Sequence, residues 1–151
     1  MFRGGSTVNL DAKGRLALPT RYRGPIMERY DGRLVLTVHD DGCLLLYPQP
    51  EWDEIERKLV RLPNQNRRTR DLQRMLIGYA TDVEMDGHGR ILVAPRLREF
   101  AGLDKRVALA GVGNKFELWD EETWEQKCSA WMAQGEESQG DLPDPLESLT
   151  L

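Results

Sequence analysis

Two stretches of this chain carry one pattern: NLDAKGRLALP, residues 9–19, and EMDGHGRILVAP, residues 84–95. Each has an Asp, three intervening residues, an Arg, an apolar strand-like run and a proline. An Asp opening a turn accepts hydrogen bonds from backbone amides just ahead of it, which accounts for Asp11 and Asp86 as turn-structuring residues. Gly14 and Gly89 stand where such a turn needs a positive φ. Each stretch therefore predicts a hairpin with a glycine bulge, strand Val8–Leu10 returning as Arg15–Leu18, and Val83–Met85 returning as Arg90–Ala94.

The likeness runs well past the corners. Tyr47 and Trp119 each close a strand-like run, CLLLYP and FELWD, and Trp52 and Trp124 each follow five residues later. The offset between copies is 75 at the aspartates and 72 at these aromatics, which marks a duplicated unit with small loop changes. Pro19 and Pro95 are expected in a helix's first turn, followed by short helical segments, TRYR and RLREFAG. A second strand pair comes next, roughly Arg33–Tyr47 and Arg106–Trp119, turning at DDG and GVGN. A helix closes each unit. In the first closing helix Trp52, Ile55, Leu59 and Leu62 make an amphipathic stripe, and Leu72, Met75, Leu76 and Tyr79 make another behind NRRTRDLQR.

A length of 151 residues, 40% of them hydrophobic and 30% charged, predicts a soluble globular protein of about one domain. No apolar run approaches the roughly 18 residues of a membrane span, and MFRGGSTVNLD lacks the apolar centre of a signal peptide. Cys43 and Cys128 stand apart, as expected of reduced cytosolic thiols, so a cytoplasmic location is expected. Net charge is −4, yet residues 1–75 carry 14 Lys+Arg against 10 Asp+Glu, and residues 76–151 carry 7 against 15. That asymmetry suits a basic working face and an acidic solvating tail containing Glu136, Glu137, Asp141, Asp144 and Glu147.

A turn needs no arginine after its bulge glycine, so Arg15 and Arg90 invite a functional reading. Arginine beside a tight turn offers a flat, forked donor to phosphate or to a guanine edge. Lys13 sits inside the first turn, Arg21 and Arg23 lie just past Pro19, and Arg3 is near if the N-terminus folds back. The second copy has Gly87 and His88 in its turn, with Arg96 and Arg98 beyond. The first corner is thus the more cationic and the favoured anion contact. Arg67, Arg68, Arg70 and Arg74 form a further basic cluster, read equally as a solvated helix face or as a phosphate or subunit contact. Phosphate loops, nucleophile elbows and H-E-x-x-H are all missing, so no enzyme, metal or cofactor is expected.

With these residues assembled, the chain resembles the MraZ family. The resemblance rests on MFRG, VNLDAKGRLALPTRYR, CLLLYPQPEWDEIERKL, MDGHGRILVAPRLREFAGL and NKFELWDEETW, and covers about residues 1–132. It implies an α+β fold of tandem AbrB-like swapped-hairpin modules, double-psi-like β-barrels with short flanking helices. The modules are expected at 1–62 and 80–132, each with its closing helix, joined by a connecting helix at 63–79 and followed by a flexible acidic tail at 133–151. It further implies a homo-oligomeric, ring-forming, DNA-binding transcriptional regulator, a repressor of its own operon in the division and cell-wall gene cluster. The partner is double-stranded DNA with short direct promoter repeats, so the protein is expected at the nucleoid. The family's D-x-x-x-R motif maps onto Asp11 with Arg15 and Asp86 with Arg90. Two departures stand out: the run from Asp86 to Pro95 is one residue longer than that from Asp11 to Pro19, and the second turn holds no cation.

One corner makes few contacts, and a ring presenting several along repeated sites gains affinity through effective concentration. The rival readings are a pure assembly or protein-interaction module, supported by the apolar stripes and a pI near 5.3, and a toxin-neutralising partner of AbrB-like type.

Overall fold

The computed structural model describes residues 1–134; the expected acidic tail falls, from 135 on, outside the described residues. Its strands are β1 (Phe2–Asn9), β2 (Arg15–Ala17), β3 (Arg33–Val38), β4 (Leu44–Pro48), β5 (Thr81–Glu84), β6 (Arg90–Leu92), β7 (Arg106–Gly113) and β8 (Phe116–Asp120). The helices among the described residues are α1 (Thr20–Tyr30), α2 (Gln49–Arg61), α3 (Arg67–Leu76), α4 (Pro95–Ala101) and α5 (Glu121–Gln134). The fold is mixed, with antiparallel sheets. Residues Met1–Glu121 make one compact unit, and Glu122 onward falls in another.

Strand pairing departs from simple hairpins. Six strands form one sheet in the order β1-β7-β8-β4-β3-β5, and β2 pairs with β6 in a separate two-stranded ribbon. The first strand of each repeat therefore lies along the other repeat, β1 on β7 and β5 on β3. Just past β1, an isolated bridge from Leu10 to Leu16 is the remnant of the expected hairpin. The physical reason lies in length. A three-residue return strand cannot hold a hairpin by itself. Set against its copy, it buries Leu16 opposite Ile91, both essentially inaccessible to solvent.

The apolar core is accordingly shared by the repeats. Leu16, Leu18, Ile26, Leu34 and Leu46 pack in the same cluster as Ile91, Val93, Leu97, Leu109 and Phe116. Phe2 stacks on Phe116 with ring centroids 4.2 Å apart, so the chain start is pinned across the second repeat. β3 and β4 are buried nearly throughout rather than on alternate residues, because they lie in the middle of the sheet and helices pack against them. Thr37 is the one buried polar side chain among the described residues, and its hydroxyl donates to the Leu76 carbonyl at 2.6 Å.

α1 outruns the short TRYR segment. It continues through Gly24 and Pro25 because Tyr22 and Ile26 are buried on one face, and that packing outweighs poor helix propensity. In α2, Trp52 and Leu59 of the expected stripe are buried, whereas Leu62, just past the helix, is 41% exposed. α3 buries no residue fully, although Met75 in it and Tyr79 just after it pack against the core.

Candidate nucleic-acid interface

Each corner is tied by one carboxylate. Asp11 Oδ1 accepts from the Lys13 and Arg15 backbone amides at 3.0 and 2.8 Å, and Oδ2 accepts from Arg15 Nε at 2.9 Å. The Asp11 amide donates to the Arg15 carbonyl at 2.9 Å and the Gly14 amide to the Asp11 carbonyl at 3.0 Å, closing the same loop. The second corner repeats this atom for atom. Asp86 Oδ1 accepts from the His88 and Arg90 amides, and Oδ2 from Arg90 Nε, all at 2.9 Å. Gly14 and Gly89 take φ of +84° and +75°, the left-handed turn that the sequence requires.

Electrostatics follow from these bonds. The Arg15 amide, chiefly, holds the Asp11 carboxyl below its ordinary range; the Arg90 amide does the same for Asp86, bringing it to about 2. Both aspartates are therefore anions at neutral pH. Each fixes its arginine through Nε and leaves the terminal nitrogens of the fork for an outside acceptor. Arg15 and Arg90 keep 33% and 31% of their side-chain surface in solvent, enough to be reached and little enough to be held.

The ribbon puts the two corners together. Arg15 stands opposite Leu92 and Arg90 opposite Ala17, while Leu16 and Ile91 point into the core. Alternation along a strand then places Arg15 and Arg90 on the same outward face, where Leu92 is 55% exposed. From strand rise and spacing their Cα atoms lie roughly 8 Å apart on the diagonal.

Other expected residues are distributed differently. Lys13 is exposed within the first turn. Arg23 is not at the first corner: its Nε and Cδ lie 2.2 and 2.3 Å from where a Cβ on Gly89 would sit, at the second corner. Arg98 of α4 occupies the matching place over Gly14. The reason is the exchange of strands, which delivers each repeat's helix to the other repeat's turn. Arg3 does not fold back towards the first corner either. β1 is a strand paired along β7, so Arg3 lies roughly 20 Å of strand away from Asn9. Arg21 is beside it, donating to Ser6 Oγ at 2.8 Å and to the Tyr22 hydroxyl at 2.9 Å, and lines a cleft with Arg3 and Arg29. In α3, Arg67 and Arg74 share Asp71, and Arg70 donates to the Asn64 and Gln65 carbonyls. Much of that cluster's hydrogen bonding is therefore local.

The placement of Arg98 was within reach of the sequence. The 75-residue offset of the aspartates persists to Leu18 and Val93, whose amides donate to the Gly89 and Gly14 carbonyls at 2.8 Å. It persists to Pro19 and Ala94, both helix N-caps with φ of −55° and −57°. Pro95 matches Thr20, so the second run contains no inserted residue and the prolines are one position out of register. Arg23 and Arg98 share the same offset.

Two comparisons bear on this geometry. The family model described as "MraZ protein, putative antitoxin-like" matches residues 1–75 and again residues 76–139. A protein of Thioalkalivibrio sulfidiphilus named transcriptional regulator MraZ is 56% identical over 151 residues, the whole of both chains. Proteins of the same name from Halorhodospira halophila and Pseudomonas aeruginosa are each 52% identical over 152 aligned residues, again whole chain to whole chain.

Proposed function

The chain belongs to the MraZ family, and we propose that it is a transcriptional regulator that reads promoter DNA with the outward face of the β2–β6 ribbon. The observation that carries this reading is the presentation of Arg15 and Arg90 side by side, each oriented by its own aspartate. A major groove about 12 Å wide admits a two-stranded β-ribbon, and an oriented arginine fork suits the guanine O6 and N7 edge. Lys13, exposed in the first turn, adds a phosphate contact there. Arg3 and Arg21 stand apart from this face, in a cleft of their own, and their place is along DNA that runs beyond it.

The pairing of each repeat's strands with those of the other supports the AbrB-like swapped-hairpin, double-psi-like reading of the fold. Exposed apolar side chains on α2, just past its end and on α3, Val60 at 65%, Leu62 at 41% and Leu72 at 40%, support assembly into a homo-oligomer, which we take to be a ring. A ring aligned on short direct repeats multiplies weak single contacts through effective concentration. The expected target is the promoter of the protein's own operon, in the division and cell-wall cluster, with repression as outcome and the nucleoid as location. Among the described residues no helix is long and apolar enough to cross a membrane.

The test is fluorescence anisotropy on the duplex upstream of its own gene and on a shuffled duplex, over a salt series. Arg15→Ala is run alongside, with sizing to check assembly. The intact protein prefers its promoter, and the preference is lost in the variant at unchanged size. Undiminished preference in Arg15→Ala would refute the assignment.

A further inference from the structure

The bonds that orient Arg15 and Arg90 also neutralise them. Each guanidinium is paired with the aspartate of its own turn at 2.9 Å, so the Asp–Arg pair by itself carries no net charge. Attraction for phosphate must come from cations beside the pair. At the first corner these include Lys13, within the turn, Arg98, against Gly14, and Lys105, which lines a cleft with Asp11, Arg98 and Asp104; at the second, Arg23 lies against Gly89.

Arg23 and Arg98 are built alike. Each is half-buried, and each donates Nε to a backbone carbonyl of its own repeat, Arg23 to Leu18 at 2.8 Å and Arg98 to Val93 at 3.0 Å. Each lies against the turn glycine of the opposite repeat, with Arg98 Cζ 2.9 Å from an added Gly14 Cβ and Arg23 Cζ 2.7 Å from an added Gly89 Cβ. Among the described residues neither meets a carboxylate within ion-pair distance. With Nε committed, the terminal nitrogens of a fixed, uncompensated guanidinium remain beside each corner. A half-buried cation held this way, without a carboxylate partner, is placed to receive an incoming anion.

We infer that Arg98 and Arg23 supply the phosphate-binding charge of the first and second corners, each delivered by the opposite repeat. Arg15 and Arg90 then read bases, and the crossed arginines seat the DNA backbone that brings those bases within reach. This inference rests on the DNA-binding reading above and adds a division of labour to it.

The experiment measures binding of the promoter duplex and the shuffled duplex from about 50 to about 200 mM salt. It uses the full chain and the variants Arg98→Gln, Arg23→Gln and Arg98→Lys. Glutamine keeps an amide donor for the Val93 or Leu18 carbonyl while removing the charge, and sizing with circular dichroism confirms the fold. Each Gln variant flattens the slope of log affinity on log salt by about 0.9 for each engaged protomer, the change expected when one phosphate is no longer neutralised. Over that salt range the intact protein then loses about 3-fold more affinity per protomer than the variant. Both duplexes weaken by the same factor, and Arg98→Lys restores the slope. Unchanged slopes in both Gln variants, beside a steep intact protein, overturn the inference and leave the Arg15 reading standing. A slope lost in Arg98→Lys as well also overturns it, since charge is then not what matters. An intact protein without salt dependence or sequence preference overturns the DNA-binding reading itself.

Discussion

Replacing Gly89 by alanine tests how tightly the two repeats are interlocked. At φ +75° a Cβ is strained, at about 1–2 kcal/mol. The new methyl would also sit 2.2 Å from Arg23 Nε and 2.3 Å from Cδ, in the middle of a side chain held by the Leu18 carbonyl. Arg23 must move, and its hydrogen bond contributes about 0.5–1.5 kcal/mol. Gly89→Ala is thus expected to destabilise by roughly 2–3 kcal/mol. Gly14→Ala meets a looser neighbour, with Arg98 Cζ at 2.9 Å and Nε at 3.0 Å, and costs nearer the strain alone. Urea unfolding followed by tryptophan fluorescence, at one fixed protein concentration, measures both. In an Arg23→Ala background the collision is absent, so the Gly89→Ala cost falls by about 1 kcal/mol. An equal cost in both backgrounds would sink the idea that Arg23 lies over that turn.

Two further outcomes follow from bonds described above. The Asp86 carboxyl is held at about 2, chiefly by the Arg90 amide, so its folded value lies below the ordinary 3.8. Its stabilisation is therefore complete above about pH 4 and lost as pH falls through 2. Acid unfolding of Asp86→Asn should be flatter across that window than that of the intact protein; identical profiles would show that the carboxylate is idle. Thr37→Val leaves the Leu76 carbonyl without its 2.6 Å donor, and costs about 1–3 kcal/mol. Hydrogen exchange should quicken first in the last turn of α3, and a loss spread evenly over the chain would contradict the role given to that bond.

Local chemistry was legible in the sequence, and long-range pairing was not. The Asp-x-x-Gly turns announced themselves because Asx bonding and a positive φ depend only on neighbours along the chain. The strand pairs around DDG and GVGN were legible for the same reason. Which strand lies beside which is decided by burial at a distance. Nothing in RLALP says that the return strand will pair along its whole length with its copy, setting Leu16 opposite Ile91. That choice decided the site as well, moving Arg23 to the second corner and bringing Arg98 to the first. Counting from the prolines hid the equivalence of these arginines, because Pro19 is a helix cap and Pro95 the first residue of a helix.

The exchange of strands has a further consequence for how the chain can vary. If the two repeats were identical separate chains, every change at one corner would be forced on the other, and the pair would dissociate on dilution. Joined through α2 and α3, the halves meet without a concentration requirement and are free to differ. They do: Lys13 at one turn stands where His88 stands at the other, on frames with the same hydrogen bonds. If the ribbon face binds DNA as proposed, two unlike corners carried by one chain give it a direction. Such a face would distinguish the two ends of its target, which a twofold-symmetric pair cannot.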